Sequence, residues 1–225
     1  MKARLRDNLA RVEERIARAC ARAGRNREDV TLVAVTKSVT PEVAAALLEL
    51  GIADLGENRP QELWRKAAAL AGPRWHLIGH LQRNKIDRTL PLVSWIHSVD
   101  SVRLLDALEA CGTHVNVLLE VNASGEANKQ GFAPAGVLDL AAKVDALKHV
   151  QVRGLMTMAA LQDAEACRPT FTALRQLRDQ VQARLPAHRL DHLSMGMSND
   201  FEVAIEEGAT FVRLGTVLFE GCGEA

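Results

Sequence analysis

Along this chain, short runs of apolar and largely β-branched residues alternate with longer stretches in which apolar positions return at helical spacing. Runs at 30 to 37, 53 to 57, 74 to 79, 93 to 98, 114 to 122, 150 to 156, 189 to 194 and 210 to 215 read as strands. Their near-continuous apolar character fits strands covered on both faces. Between them, 41 to 50, 60 to 71, 83 to 90, 101 to 111, 134 to 148, 163 to 185 and 199 to 207 read as helices. Strand–helix alternation implies parallel strands, and this number of strands closes naturally into a single (β/α)8 TIM barrel. An open doubly wound sheet is the competing α/β arrangement. Against it, no glycine-rich dinucleotide fingerprint follows the first strand, and Gly154, Gly196 and Gly215 are not spaced as one.

Ahead of the first strand, Leu5, Leu9, Val12, Ile16 and Ala19 share one helical face, with Arg4, Arg11, Arg15, Arg18 and Arg22 around the rest. Residues 1 to 27 are therefore expected to form an extra amphipathic helix packed on the barrel. A basic nucleic-acid arm and a transit peptide are the alternatives; Asp7, Glu13, Glu14 and the lack of serine in the segment argue against the second. With no Ser/Gly linker or internal repeat, residues 1 to 225 are expected to be one domain.

Charge and cysteine usage narrow the partners. Lys and Arg number 28 and Asp and Glu number 28, so no overall field draws the chain to nucleic acid or an acidic membrane. Cys20, Cys111, Cys167 and Cys222 lack the paired spacing of a zinc site and read as reduced thiols in a cytoplasmic protein. No apolar stretch is long enough to span a bilayer, and no signal-peptide core is visible.

The candidate chemistry begins at Lys37, which ends the first strand run. An amine at the mouth of a buried strand is either a snorkelling surface charge or a partly desolvated nucleophile prepared for an aldehyde. The far end of the chain bears on that choice, because loops after strands seven and eight of such barrels often bind phosphate. After the seventh run, Ser198 or Asn199 can cap a helix; after the eighth, Gly215 allows close backbone approach and Thr216 offers a hydroxyl. In a closed barrel this loop neighbours Lys37. A phosphorylated aldehyde such as pyridoxal phosphate would bridge the two, and Arg213, alternating inward with Phe211 and Gly215, would lie near its ring nitrogen. His76 and His80 near the third strand's end are either general bases or structural histidines; Glu57 is either a ligand-orienting or an ion-paired carboxylate. Asn122 and Met156 are expected at the mouth, and Trp64, Trp75 and Trp95 are too dispersed for a stacking platform.

Several ordered blocks of the sequence are similar to the pyridoxal phosphate homeostasis protein family. They include Ala34-Val35-Thr36-Lys37, Gly56-Glu57-Asn58-Arg59-Pro60-Gln61-Glu62, Trp75-His76-Leu77-Ile78-Gly79-His80, Arg153-Gly154-Leu155-Met156-Thr157-Met158, the Ser194 to Asp200 segment and the stretch from Arg213 to Phe219. The resemblance implies a barrel of the alanine racemase N-terminal-domain type, with pyridoxal 5'-phosphate held as a Schiff base on Lys37. It also implies that Ser198, Gly215 and Thr216 hold the phosphate, that Arg213 faces the ring nitrogen, and that Asn58 and His80 lie near the cofactor. The implied function is buffering or delivery of the cofactor, with apo forms of cofactor-dependent enzymes as recipients and no efficient catalysis; a monomer is expected. A weak amino-acid racemase is the alternative, opposed by the complete absence of tyrosine to act as a second base. A sugar-phosphate aldolase using Lys37 is a third reading, without an identifiable proton relay. The family's end usually reads Phe-Gly followed by an Arg- and Tyr-containing tail, whereas this chain ends Phe219-Glu220-Gly221-Cys222-Gly223-Glu224-Ala225.

Overall fold

The computed structural model describes residues 1–126, 130–160 and 162–222. It opens with helix α1 (Lys2–Arg22), whose expected apolar face is buried and is extended by Asn8 and Cys20. Its arginines mostly meet acids: Arg15 reaches Glu202 at 3.0 Å and Arg22 reaches Glu206 at 2.6 Å. The helix thus lies against the body of the molecule as the pattern predicts.

Strands β1 (Thr31–Val35), β2 (Asp54–Glu57), β3 (Arg74–Leu77), β4 (Trp95–Val99), β5 (Val115–Glu120), β6 (Val150–Met156), β7 (His192–Ser194) and β8 (Phe211–Leu214) follow in sequence order around a closed barrel. All pairings are parallel, and β8 closes on β1 with Val33 beside Arg213. The intervening helices are α2 (Pro41–Glu49), α3 (Pro60–Ala69), α4 (Ile86–Thr89), α5 (Val102–Ala110), α6 (Pro134–Leu138), α7 (Ala141–Asp145), α8 (Ala164–Arg184), α9 (Phe201–Glu206) and α10 (Thr216–Phe219). This is the predicted (β/α)8 fold.

Three local departures have physical causes. The helix expected over 134 to 148 breaks into α6 and α7, although Val137, Leu140 and Val144 keep one buried stripe. Gly136 weakens the first piece, so apolar periodicity persists where helical hydrogen bonding does not. The helix expected over 83 to 90 begins as a tight turn at Arg83–Lys85 before α4. And α10 is too short to display a helical period in the sequence.

Two apolar layers fill the interior. The larger lies between barrel and helices; the smaller, inside the lumen, gathers Val33, Leu118, Met156 and Phe211 with Trp95 packed against it. Met156 therefore belongs to the lumen packing rather than the mouth. Close approaches use glycine where a side chain has no room: a Cβ on Gly79 would fall 2.2 Å from the Asn58 carbonyl oxygen.

Candidate functional site

The carboxyl ends of the strands surround a cavity of about 500 Å³, within the range of small-molecule sites. Its walls bring together all of the cofactor-binding candidates: Lys37, Asn58, His80, Ser198, Arg213, Gly215 and Thr216. Val35, Ile78, Met158 and Met197 add apolar surface. Sequence separation hides this convergence, and barrel closure between β1 and β8 produces it.

Lys37 is placed differently from the expectation of a strand-buried amine. β1 ends at Val35, Thr36 takes the last buried position, and Lys37 stands in the following turn, exposed. The strand end itself does not desolvate the amine. What is buried is the support behind it. The fully buried Lys66 of α3 donates from Nζ to the Thr36 carbonyl oxygen at 2.5 Å and to Glu57 Oε1 at 2.6 Å, while Thr36 Oγ1 donates to the same carboxylate at 2.5 Å. Glu57 is thus ion-paired and turned away from the cavity toward α3, which settles its role as support.

The anion-side loop also differs in detail. Asp200, and neither Ser198 nor Asn199, occupies the position before α9, and its Oδ1 accepts a hydrogen bond from the Met197 amide at 2.6 Å. Ser198 instead accepts from the Val217 amide of α10 at 3.4 Å, tying its hydroxyl to the loop after β8. Gly196 makes the turn possible, with φ of 94° and only 2.6 Å between its would-be Cβ and Ala204 Cβ. Gly215 abuts Val35, a Cβ there lying 3.3 Å from that residue's carbonyl oxygen.

Arg213 points into the lumen as alternation predicts and is almost fully buried. It donates from Nη1 to Ser194 Oγ at 2.6 Å and from Nη2 to the Thr157 carbonyl oxygen at 3.0 Å. Burial pulls its pKa down to about 10, with Asp200 and Glu120 opposing. It stays charged near neutrality. Its partners are neutral oxygens, and no carboxylate pairs with it among the described residues.

His80 hydrogen-bonds through Nδ1 to Asp100 Oδ2 at 2.9 Å, on the cavity wall. Glu120, at the end of β5, has its carboxyl raised by burial and by Asp100 nearby. His76 does not flank the end of β3 but sits within it, fully buried between Asp54 and His97. It is structural. Asn122 folds back onto its own loop, donating to the Glu126 carbonyl oxygen at 2.7 Å, and does not line the cavity. Trp64 donates to Thr89 and Trp75 is buried, so the tryptophans are packing residues. Asp200, Asn199 and Gln162 line the cavity without having been predicted as site residues. Of the divergent tail, Gly223 to Ala225 lie outside the described residues, while Glu220 and Cys222 pack against α1 through Asn8.

The donor set suits a phosphorylated aldehyde: an accessible amine, hydroxyls on adjoining loops, and a buried cation short of an anionic partner. Residues 8–222 match the family described as alanine racemase, N-terminal domain. The pyridoxal phosphate homeostasis protein of Aquifex aeolicus is 44% identical over 95% of this chain and 96% of its own length. PipY of Synechococcus elongatus, solved with PLP bound, superposes with a TM-score of 0.79 at 34% identity, covering 91% of this chain and 99% of that one. Alanine racemase of Corynebacterium glutamicum shares the fold, with a TM-score of 0.74 at 16% identity over 97% of this chain and 60% of its own.

Proposed function

Because the chain belongs to the pyridoxal phosphate homeostasis protein family, we propose that it binds pyridoxal 5'-phosphate through Lys37 and buffers or delivers it inside the cell. The observation that carries this reading is the convergence of Lys37, Arg213 and the Ser198, Gly215 and Thr216 loops on one cavity. The PLP held in the solved structure of PipY supports it. When bound, the cofactor supplies an aldehyde with which amines condense.

Each residue then has a physical task. Lys37 Nζ provides the covalent anchor. The Ser198 and Thr216 hydroxyls and the Gly215 backbone, which line the cavity, would hold the phosphate dianion, where charge-assisted hydrogen bonds are strongest. Arg213, a cation on the cavity wall, would meet the ring nitrogen, hold it unprotonated and weaken the ring as an electron sink. Asn58 and His80, on the same cavity wall, would lie beside the ring. A poor sink suits storage, and the absence of tyrosine removes the usual second base of a racemase. The recipients would be apo-enzymes in the cytoplasm that need this cofactor.

Lys37→Ala should abolish the visible absorbance of the loaded protein and the borohydride-fixed adduct while leaving the fold intact. An adduct mapped to another lysine would refute the assignment. Pyridoxal should bind about tenfold or more weakly than its phosphate, given the strength of charge-assisted bonds; equal affinity would remove the anion site. Exchange of an amino acid's α-hydrogen in deuterated buffer at a catalytic rate would instead establish a racemase.

A further inference from the structure

From Arg213 inward, six side chains, Arg213 included, form an unbroken file through the lumen. Arg213 donates to Ser194 Oγ at 2.6 Å; Ser194 Oγ lies 2.8 Å from His97 Nδ1, His97 Nε2 lies 2.9 Å from His76 Nδ1, and His76 Nε2 lies 2.9 Å from Asp54 Oδ1. Asp54 is clasped by Arg74, whose Nε and Nη2 donate at 2.8 and 2.5 Å. The file crosses from β8 and β7 at the mouth to β4, β3 and the first residue of β2 at the opposite end. Ser194, His97 and His76 are fully or almost fully buried. Phe211 packs on both imidazoles, with ring centroids 5.6 Å from His76 and 5.2 Å from His97.

The Asp54 end, with both rings neutral, dictates where every proton lies. A carboxylate can only accept and a guanidinium can only donate. His76 must therefore give its Nε2 proton to Asp54, which leaves Nδ1 of the neutral ring as an acceptor. His97 then donates from Nε2 and accepts at Nδ1. Ser194 fills that acceptor with its hydroxyl proton, so that its oxygen lone pairs face Arg213. The Arg213 end is compatible with this order, because the guanidinium needs only a lone pair on Ser194 Oγ. Both rings are neutral on independent grounds, since burial depresses the pKa of each, while Asp54 is held ionised at about 2 by His76 and Arg74 against its own desolvation.

We propose that this one-way hydrogen-bond file, anchored by the Arg74–Asp54 pair at the far end of the barrel, positions Arg213 at the cavity, with Asp54, His76, His97 and Ser194 as positioning residues. The link to the cofactor ring rests on the function proposed above; the file itself does not. Its effect is to offer the buried guanidinium a fixed lone pair in place of a counter-ion. The charge stays available to a ligand instead of being neutralised by a carboxylate.

Heteronuclear NMR of the unaltered, cofactor-free chain near pH 7 tests the direction. Both His76 and His97 should carry their proton on Nε2; an Nδ1 proton or an imidazolium at either would overturn the proposal. In His97→Leu with its circular dichroism unchanged, Ser194 loses its acceptor, and guanidinium proton exchange at Arg213 should quicken about fivefold or more. Unchanged exchange would overturn the positioning role. Loading with pyridoxal phosphate then separates the two readings. A shifted visible band in His97→Leu places the file in control of the ring. An identical band with altered Arg213 exchange would sever the file from the cofactor, and failure of the unaltered chain to bind would refute the proposed function while leaving the NMR result standing.

Discussion

Behind Lys37, between β2 and α3, a buried lysine and a buried glutamate meet at 2.6 Å and close on the Thr36 backbone; behind Arg213, inside the lumen, neutral groups pass polarity from one formal charge to another. The first network is a clamp in which opposite charges cancel over one bond. The second is a file in which the charges stand at the ends and the middle is uncharged. Burial accounts for the difference in sensitivity. Taking one partner from a close ion pair strands a whole charge, whereas breaking the file at Ser194 costs Arg213 one of its two hydrogen bonds and leaves the Thr157 carbonyl in place.

The sharpest way to break the comparison is Lys66→Met, which leaves Glu57 buried without its cation. A loss of about 3–5 kcal/mol in urea-unfolding stability is expected, and adding Glu57→Leu should recover most of it. Ser194→Ala attacks the file, leaving Arg213 Nη1 and His97 Nδ1 unmatched, with an expected cost of about 1–3 kcal/mol. If that order were reversed, the distinction between ionic clamp and neutral file would fail.

Acidification sharpens the comparison without mutation. His76 and His97 have folded pKa values below the unfolded value of about 6.5, so the unfolded chain takes up protons first and stability falls as pH drops below it. Each extra proton bound by the unfolded chain steepens the slope by about 1.4 kcal/mol per pH unit. Asp54, depressed to about 2, adds stability above roughly pH 4 that disappears as pH falls further toward 2. Unfolding midpoints between about pH 7.5 and 5.5 should therefore decline, and less so in His97→Gln. The smallest effect is expected at the surface: Lys2→Ala removes an exposed pair with Glu49 and should change stability by no more than about 0.5 kcal/mol.

The barrel was legible because strands covered on both faces leave continuous apolar runs, and the arginine at 213 was legible because alternation within a strand fixes which side it faces. The clamp was not. Lys66 follows Arg65 in a charge-rich helix, and nothing in its neighbours separates it from a solvated lysine, yet it is fully buried. His97 and Ser194 fell inside strand runs where only their inward parity hinted at a polar lumen. Asp200 is not singled out by the sequence, because the serine and asparagine beside it are equally good helix-start residues and the choice among them depends on the tertiary position of α9. The exposure of Lys37 turns on two residues, since a strand run ending at 37 and one ending at Val35 look alike in sequence.

Asn8 in α1 donates to the carbonyl oxygens of Leu218 and Glu220, both at 2.9 Å, and so fastens the turn that follows the β8 loop across more than two hundred residues of chain. Together with the pairing of β8 on β1, this places the formation of the cavity very late in folding, because loop closure over such a span is entropically slow and must await emergence of the last strand from the ribosome. A nascent chain arrested before Thr210 would already hold Lys37, α1 and most of the barrel wall. It would have the Lys37 side of the cavity but not the wall formed by Arg213, Gly215 and Thr216.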